Sequence, residues 1–234
     1  ESDREVIGGI NFKVKKGETV ALVGPSGGGK STTSDLIPRF YEATEGTVTV
    51  FGLPVACHDP AELRARIGVV PQKAELFKGT VRSNLCFGVE NVSDTELWEA
   101  LEAAQAADFV REMEGQLDAP VEQKGRNLSG GQKQRLTIAR ALVGNPEILI
   151  LDDSASALDY ATDARLRMAI RGMDNPPTTF IVSQRAASVR YADQILVLDD
   201  GILAGQGTHE QLLENCPVYQ EIYYSQFPKE VAHS

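Results

Sequence analysis

The segment Gly24–Thr32 (GPSGGGKST) constrains the fold of this chain more than any other feature. It directly follows the apolar run Thr19–Val23, precedes a stretch of helical character, and fits the pattern G-x-x-x-x-G-K-[S/T]. Glycines that lead from a strand into a helix allow successive backbone N–H groups to turn inward around an anion. The sequence therefore predicts a phosphate-binding loop between a buried strand and a helix. A chance match in a glycine-rich turn is the alternative, and the strand–loop–helix setting argues against it.

The polar residues of this segment indicate which phosphate compound it binds. We expect Lys30 to reach the β- and γ-phosphates of a nucleotide, and the Ser31 hydroxyl to ligate Mg²⁺. The other nucleotide-binding candidates in the loop are Gly24, Ser26, Gly27, Gly28, Gly29 and Thr32.

A second segment, Ile148–Tyr160 (ILILDDSASALDY), brings two carboxylates to the end of a buried strand. A nucleotide site of this type takes its second magnesium partner from a neighbouring strand, and Asp152 is the candidate. Asp153 follows it directly. The run Ile148–Leu151 also belongs to the core, so the strand has both roles.

Apolar runs alternate with helical patterns along most of the chain, which predicts a largely parallel sheet with helices on its faces. The predicted strands are Ile10–Val14, Thr19–Val23, Thr47–Val50, Ile67–Val70, Ile148–Leu151, Thr178–Val182, Gln194–Leu198 and Ile202–Ala204, the last two joined in a hairpin. The predicted helix features are capping pairs at Ser93 with Glu96 and at Thr208 with Gln211, and a helix over Gln132–Val143. Residues 73–142 are thus predicted to be a helical subdomain, inserted between the core segments 1–72 and 143–234.

Composition argues against several classes of function. The net charge of −10 argues against nucleic acid as the main partner. No apolar run approaches the roughly 18 residues that a membrane-spanning helix needs, and no signal segment is recognisable at the amino terminus. Cys57, Cys86 and Cys216 are too widely spaced for a zinc site or a redox pair, so we interpret them as free thiols in a reducing compartment.

The segment Leu128–Leu142 (LSGGQKQRLTIARAL) predicts a second anion-binding helix start, formed by Ser129, Gly130 and Gly131. One active site does not need two phosphate cradles on separate segments, whereas two sites shared across a head-to-tail dimer do. A simple helix cap after a turn is the alternative for this segment taken alone.

Taken together, these motifs resemble the nucleotide-binding domain of ATP-binding cassette (ABC) transporters over essentially the whole chain. Val69–Leu85 is similar to the family's Q-loop region, with Gln72 as its glutamine, and Ser156–Asp159 is similar to the D-loop. The resemblance implies an α/β fold: a P-loop NTPase (RecA-like) core with a parallel sheet, an antiparallel β subdomain and an inserted helical subdomain. The segments around Leu76–Leu85 and Asp193–Leu213 are most similar to exporter-type domains.

The resemblance also implies roles and partners. The cofactors are ATP and Mg²⁺, the metal being held by Ser31, Gln72 and Asp152, while Asp159 faces a second nucleotide-binding domain. Ser129, Gly130, Gly131 and Gln132 act on the γ-phosphate bound by that partner. The transmembrane domains of the transporter are the other partner, which places the chain at the cytoplasmic face of a membrane. No aromatic residue precedes Phe12, so the adenine-stacking residue of the family's first strand is not assigned.

Two residues depart from the family pattern. Hydrolytic domains have a glutamate after the magnesium-binding aspartate, and it positions the attacking water; here Asp153 has a carboxylate retracted by about 1.5 Å. A general base must lie about 2.6–3.2 Å from its water, and missing that range forfeits a factor of about 10²–10⁴. Gln184 replaces the family's switch histidine, and it can hydrogen-bond the γ-phosphate but cannot carry a proton or a positive charge.

The two departures together predict a site that binds Mg-ATP and hydrolyses it poorly, as in the degenerate sites of heterodimeric exporters. The chain would then supply its intact signature to the working site of a different subunit. Two other hypotheses stay open: a purely regulatory module that dimerises on nucleotide, and a soluble ABC-type ATPase outside transport. The latter proteins typically have long coiled coils, and no sustained heptads are visible here.

Overall fold

The computed structural model describes residues 6–227, which divide into two units. The first unit contains residues 6–63 and 180–227, and the second contains residues 64–179. These boundaries differ from the sequence-based division at 72/73 and 142/143 but do not test it. The helical subdomain of residues 73–142 therefore stays a prediction.

The strands of the described residues are β1 (Thr19–Val23), β2 (Thr49–Val50), β3 (Leu53–Pro54), β4 (Ile67–Val70), β5 (Gly79–Thr80), β6 (Pro120–Val121), β7 (Ile148–Asp152), β8 (Thr178–Val182), β9 (Gln194–Asp199) and β10 (Ile202–Gly207). The helices are α1 (Lys30–Asp35), α2 (Pro60–Ala65), α3 (Val81–Leu85), α4 (Asp94–Ala103), α5 (Ala107–Glu112), α6 (Gly130–Leu142), α7 (Tyr160–Arg171), α8 (Ala186–Val189), α9 (His209–Asn215) and α10 (Pro217–Gln226). Short 3₁₀ turns lie at Val55–Cys57, Gln116–Asp118, Gln123–Gly125 and Ser154–Ala157.

The strand predictions are confirmed wherever a buried apolar run defines the strand. Strands β1, β4 and β8 have the predicted bounds, and β7 and β9 each extend one residue further. The prediction of a strand at Ile10–Val14 is wrong. Its side chains alternate between half-buried and exposed, as in an edge strand, but no strand within residues 6–227 pairs with this segment, and without a backbone partner there is no ladder.

In the first unit, β1 and β9 run parallel, with Leu22 opposite Leu196, and β10 pairs antiparallel with β9. The predicted β9–β10 hairpin is confirmed: its two-residue turn, Asp200-Gly201, has positive φ at both residues, as a tight hairpin turn requires. Helices α9 and α10 pack on β1 and β9, where Tyr219 is fully buried. The core of this unit therefore lies directly beneath the strand that leads into the glycine-rich loop.

In the second unit, β4 and β7 run parallel, with Ile67 opposite Ile148, and most of their side chains are buried. Helix α6 supplies the buried residues Leu136, Ile138 and Ala139 to this unit's core. The capping box predicted at Ser93 and Glu96 is present at the start of α4, as is the box at Thr208 and Gln211 at the start of α9 in the first unit.

Candidate functional site

The glycine-rich loop leaves β1 in the first unit along a path that only small residues permit. A Cβ placed on Gly24 would lie 1.9 Å from the carbonyl oxygen of Leu198, so the loop passes directly over the neighbouring strand. Gly27 has φ of +78°, in the left-handed region, and an added Cβ there would meet open space. The loop is thus fixed at its base and open at its tip, which suits a backbone that wraps a ligand.

The side chains of the loop are disposed as a phosphate site needs. Lys30, the first residue of α1, is 8% exposed, and its Nζ donates to the carbonyl oxygens of Gly24 at 2.9 Å and Pro25 at 2.6 Å. A phosphate oxygen carries full negative charge and is a stronger acceptor for an ammonium group than these neutral carbonyls. Ser26, Gly27 and Ser31 are exposed, Thr32 is half-buried, and Gly28 and Gly29 are buried.

Gln184 follows β8 in the same unit. The N–H of Ser183, just beyond β8, donates to the carbonyl oxygen of Leu22 in β1 at 3.2 Å. The carboxyl ends of β1 and β8 therefore meet at one edge, so the predicted switch residue lies at the edge from which the glycine-rich loop emerges. Gln184 is exposed there.

In the second unit, β4 and β7 bring Gln72 and Asp153 together at the carboxyl edge of their strands. Gln72 Nε2 donates to Asp153 Oδ2 at 3.3 Å. This bond uses the amide nitrogen and leaves the amide oxygen as the atom that could ligate a metal. Asp152 ends β7, and Asp153 has φ of +42°, a conformation that aspartate tolerates better than most residues. Asp152 and Asp153 are both half-buried.

The segment Ser129–Gln132 forms the start of α6 with a reciprocal capping box. Ser129 Oγ accepts from the Gln132 N–H at 3.2 Å, and Gln132 Oε1 accepts from the Ser129 N–H at 2.9 Å. The simple-cap interpretation is therefore correct as far as it goes. It does not exclude anion binding, because the Ser129 hydroxyl still has a proton to donate. Gly130 faces open space, so a ligand can approach this helix start.

Asp159 has a structural role that the sequence did not indicate: it caps α7. Its carboxylate accepts from the backbone N–H of Thr162 at 2.9 Å and from the Thr162 hydroxyl at 2.7 Å. These bonds, the backbone bond first, hold the pKa of Asp159 below its usual range. The residue is exposed, so a contact with a partner domain is compatible with the cap.

The residues predicted to hold magnesium have suitable donor chemistry. Ser31, Gln72 and Asp152 offer a hydroxyl, an amide oxygen and a carboxylate, which are the hard oxygen ligands that Mg²⁺ prefers. A single carboxylate among them suits an ion bound together with nucleotide phosphates rather than a closed protein cage. No group of three or more His, Cys, Asp or Glu that could hold a metal occurs within residues 6–227.

Two further predictions concern the chain as a whole. Cys57, Cys86 and Cys216 are free thiols, exposed, half-buried and buried respectively. In the part of the chain that the structure describes, no helix is long and apolar enough to cross a membrane.

Comparison with known proteins assigns the chain to a family. A sequence model of the ABC transporter family matches residues 7–156, which is more than half of the chain. The chain belongs to the ABC transporter family. It has the family's α/β P-loop fold, with parallel strands, short antiparallel pairs and a helical part, and as an ABC ATP-binding domain it takes ATP and Mg²⁺.

Similar proteins include an ATP-dependent flippase and an exporter. The ABC transporter ATP-binding protein YwjA of Bacillus subtilis is 41% identical over 97% of this chain, and the ATP-dependent lipid A-core flippase of Chromobacterium violaceum is 40% identical over 96% of it. The solved structure of a bacterial Atm1-family ABC exporter with ATP bound matches 97% of the chain, with a TM-score of 0.91 and 40% identity. This ABC domain spans about 40% of the length of these relatives: 40% of YwjA, 38% of the flippase and 40% of the exporter chain.

One functional candidate has no sequence signal. Gln226, at the end of α10, bonds to the backbone on both sides of Arg185, next to Gln184. It lies 42 positions from Gln184 and outside every motif, so only the folded chain indicates it.

Proposed function

We propose that this chain is the ATP-binding motor domain of an ABC exporter and pairs with a different nucleotide-binding domain. Its own P-loop holds Mg-ATP through the loop backbone, Lys30 and Ser31, with Gln72 and Asp152 completing the metal ligands. It acts at the cytoplasmic face of a membrane, together with the transmembrane domains of the transporter. The exporter-type relatives support this assignment.

The observation that carries the finer proposal is the identity and setting of Asp153. Its carboxylate is one methylene shorter than the family's glutamate, and in this structure it accepts a hydrogen bond from Gln72. Both features disfavour activation of an attacking water. Gln184, in place of the switch histidine, removes the second group that the reaction uses. The site therefore retains nucleotide and turns it over slowly.

The signature of this chain serves the other composite site. The free proton of Ser129, the open surface at Gly130 and the dipole of the 13-residue helix α6 suit the γ-phosphate of a nucleotide held by the partner. The partner then supplies the P-loop and the catalytic glutamate of the working site. Within such a dimer, Asp159 faces the partner.

The test is turnover by the assembled transporter with one P-loop lysine changed at a time. Changing the partner's P-loop lysine to alanine should reduce steady-state phosphate release to background, because only the slow site remains. The Lys30→Ala variant should keep a substantial fraction of the parent rate. Rapid release of phosphate, with ADP retained in this chain's site, when the partner's lysine is disabled would refute the degenerate-site proposal. Absence of turnover in every combination would instead indicate a regulatory module.

A further inference from the structure

The backbone next to Gln184 is held by a side chain from the carboxyl-terminal helix α10. Gln226 Nε2 donates to the carbonyl oxygen of Gln184 at 2.6 Å, and Gln226 Oε1 accepts from the backbone N–H of Ala186 at 2.9 Å. The donor and the acceptor of one amide thus bridge two peptide groups on either side of Arg185. Such a pair of bonds fixes both the orientation of this backbone segment and its distance from Gln226, whereas a single bond fixes only the distance.

The two bridged groups belong to the turn from β8 into α8, and Gln226 binds this turn from another element. Ala186 begins α8, where the first N–H groups have no acceptor within the helix. Arg185, the N-cap residue, makes no side-chain capping bond, so Gln226 supplies the missing acceptor. On the other side, the N–H of Arg185 donates to Ser183 Oγ at 3.0 Å. The turn from β8 into α8 is therefore held between Ser183 and Gln226.

Helix α10 is a firm base for this clamp. Tyr219 lies seven residues before Gln226, hence on the same face of the helix, and it is fully buried in a cluster that includes Val23 of β1. The Tyr219 hydroxyl is 2.8 Å from His209 Nδ1, which ties α10 to the start of α9. The core beneath β1, the strand that enters the P-loop, therefore fixes the position of α10 and of Gln226.

We propose that Gln226 is a positioning residue of the ATP site: it holds the Gln184 backbone so that the residue at 184 is presented to the γ-phosphate. The inference rests on the proposed function, in which Gln184 contacts that phosphate. Because the clamp binds the main chain, it acts whatever side chain stands at 184. Only ATP has a γ-phosphate, so loss of the clamp weakens ATP binding and leaves ADP binding unchanged.

The experiment measures the dissociation constants of ADP and of a non-hydrolysable ATP analogue, both with Mg²⁺, by displacement of a fluorescent nucleotide from the purified protein. The variants are Gln226→Ala, which removes the clamp, and Gln226→Glu, which keeps the size and the acceptor but sets an oxygen against the Gln184 carbonyl. Gln220→Ala is the matched control: Gln220 lies on α10 too, and its Nε2 donates to the Leu213 carbonyl oxygen at 2.7 Å, away from the switch turn. Gln184→Ala tests the premise.

We expect both Gln226 variants and Gln184→Ala to weaken binding of the ATP analogue about tenfold, with ADP affinity within about twofold of the parent. The Gln184→Ala/Gln226→Ala double variant should bind the ATP analogue no more weakly than either single variant. Gln220→Ala should bind both nucleotides as tightly as the parent. If Gln184→Ala weakens the analogue but the Gln226 variants do not, the positioning role is wrong and the proposed function stands. An equal loss of ADP and analogue binding, or the same loss in Gln220→Ala, shows a merely structural role. If Gln184→Ala has no effect, the premise and the inference both fail.

Discussion

Lengthening the carboxylate at position 153 should restore little hydrolysis unless position 184 is changed as well. Asp153 Oδ2 is 3.3 Å from Gln72 Nε2. A glutamate adds about 1.5 Å of reach, so the same direction would bring its oxygen to about 1.8 Å from that nitrogen. The side chain must therefore turn away from Gln72 and give up this hydrogen bond, which frees the carboxylate to bind elsewhere.

The size of the effect follows from what each group contributes to the reaction. A correctly placed general base is worth about 10²–10⁴ in rate, but only when the rest of the transition-state contacts are present. We expect Asp153→Glu alone to raise turnover at this site less than about threefold, and Gln184→His alone to raise it no more. The double variant should gain about 10²-fold or more, so the coupling energy is about 1.4 kcal/mol or higher.

The assay is phosphate release from Mg-ATP by the assembled transporter, with the partner's P-loop lysine changed to alanine so that only this site is observed. Asp153→Asn is the control: if Asp153 contributes no base catalysis, the rate stays within about twofold of the parent. A gain near 10²-fold from Asp153→Glu alone would refute the coupled loss of function. Simple additivity of the two single variants would refute it equally.

Three further predictions concern the stability and the binding of the chain. Gly24→Ala should lower the free energy of unfolding by about 3 kcal/mol or more, because its Cβ would lie 1.9 Å from a backbone oxygen. At Gly27 an added Cβ meets only backbone strain, so Gly27→Ala should lower the free energy of unfolding by about 1–2 kcal/mol. Urea unfolding measures both values. Asp159→Asn should lower the thermal stability near neutral pH and leave it unchanged in acid. The pKa of Asp159 is lowered in the folded state, so its charge stabilises the fold above the unfolded-state pKa of about 4, and this stabilisation is lost as pH falls through the folded-state pKa. The parent and this variant should therefore differ most near neutral pH and converge in acid, in thermal unfolding followed as a function of pH. Lys30→Ala should weaken ATP binding about 10–100-fold, because it removes a charge-assisted contact to the phosphates; calorimetric titration measures this.

The parts of the fold that the sequence predicted are those set by local patterns. β1, β4 and β8 are continuous apolar runs whose burial needs no knowledge of the neighbouring strand, and the glycine-rich loop has a fixed spacing. Ile10–Val14 shows the limit of this reasoning. Alternation in exposure is necessary for an edge strand, but a ladder also needs a partner, and whether one is present is a property of the whole fold.

The contacts within the candidate site could not be predicted for the same reason. The bond between Gln72 and Asp153 joins residues 81 positions apart, and it exists because β4 and β7 are parallel neighbours. The clamp from Gln226 depends on where α10 ends relative to the turn after β8. Sequence spacing determines neither distance. Motifs therefore predict which residues carry the chemistry, and the fold is needed to show what holds them.

The two residues that depart from the family pattern are held in different ways, and this affects how readily each can be reversed. Asp153 is held through its side chain, by Gln72, so a glutamate there must give up an existing contact. Gln184 is held through its backbone, by Gln226, so a histidine at 184 leaves both clamp bonds in place. A substitution of an exposed side chain that leaves the backbone contacts in place usually changes the free energy of unfolding by no more than about 0.5 kcal/mol. Gln184→His should thus be structurally neutral, and Asp153→Glu should not. In the proposed degenerate site, Asp153→Glu is therefore the structurally more costly of the two changes, because the longer side chain gains reach only by giving up its bond with Gln72.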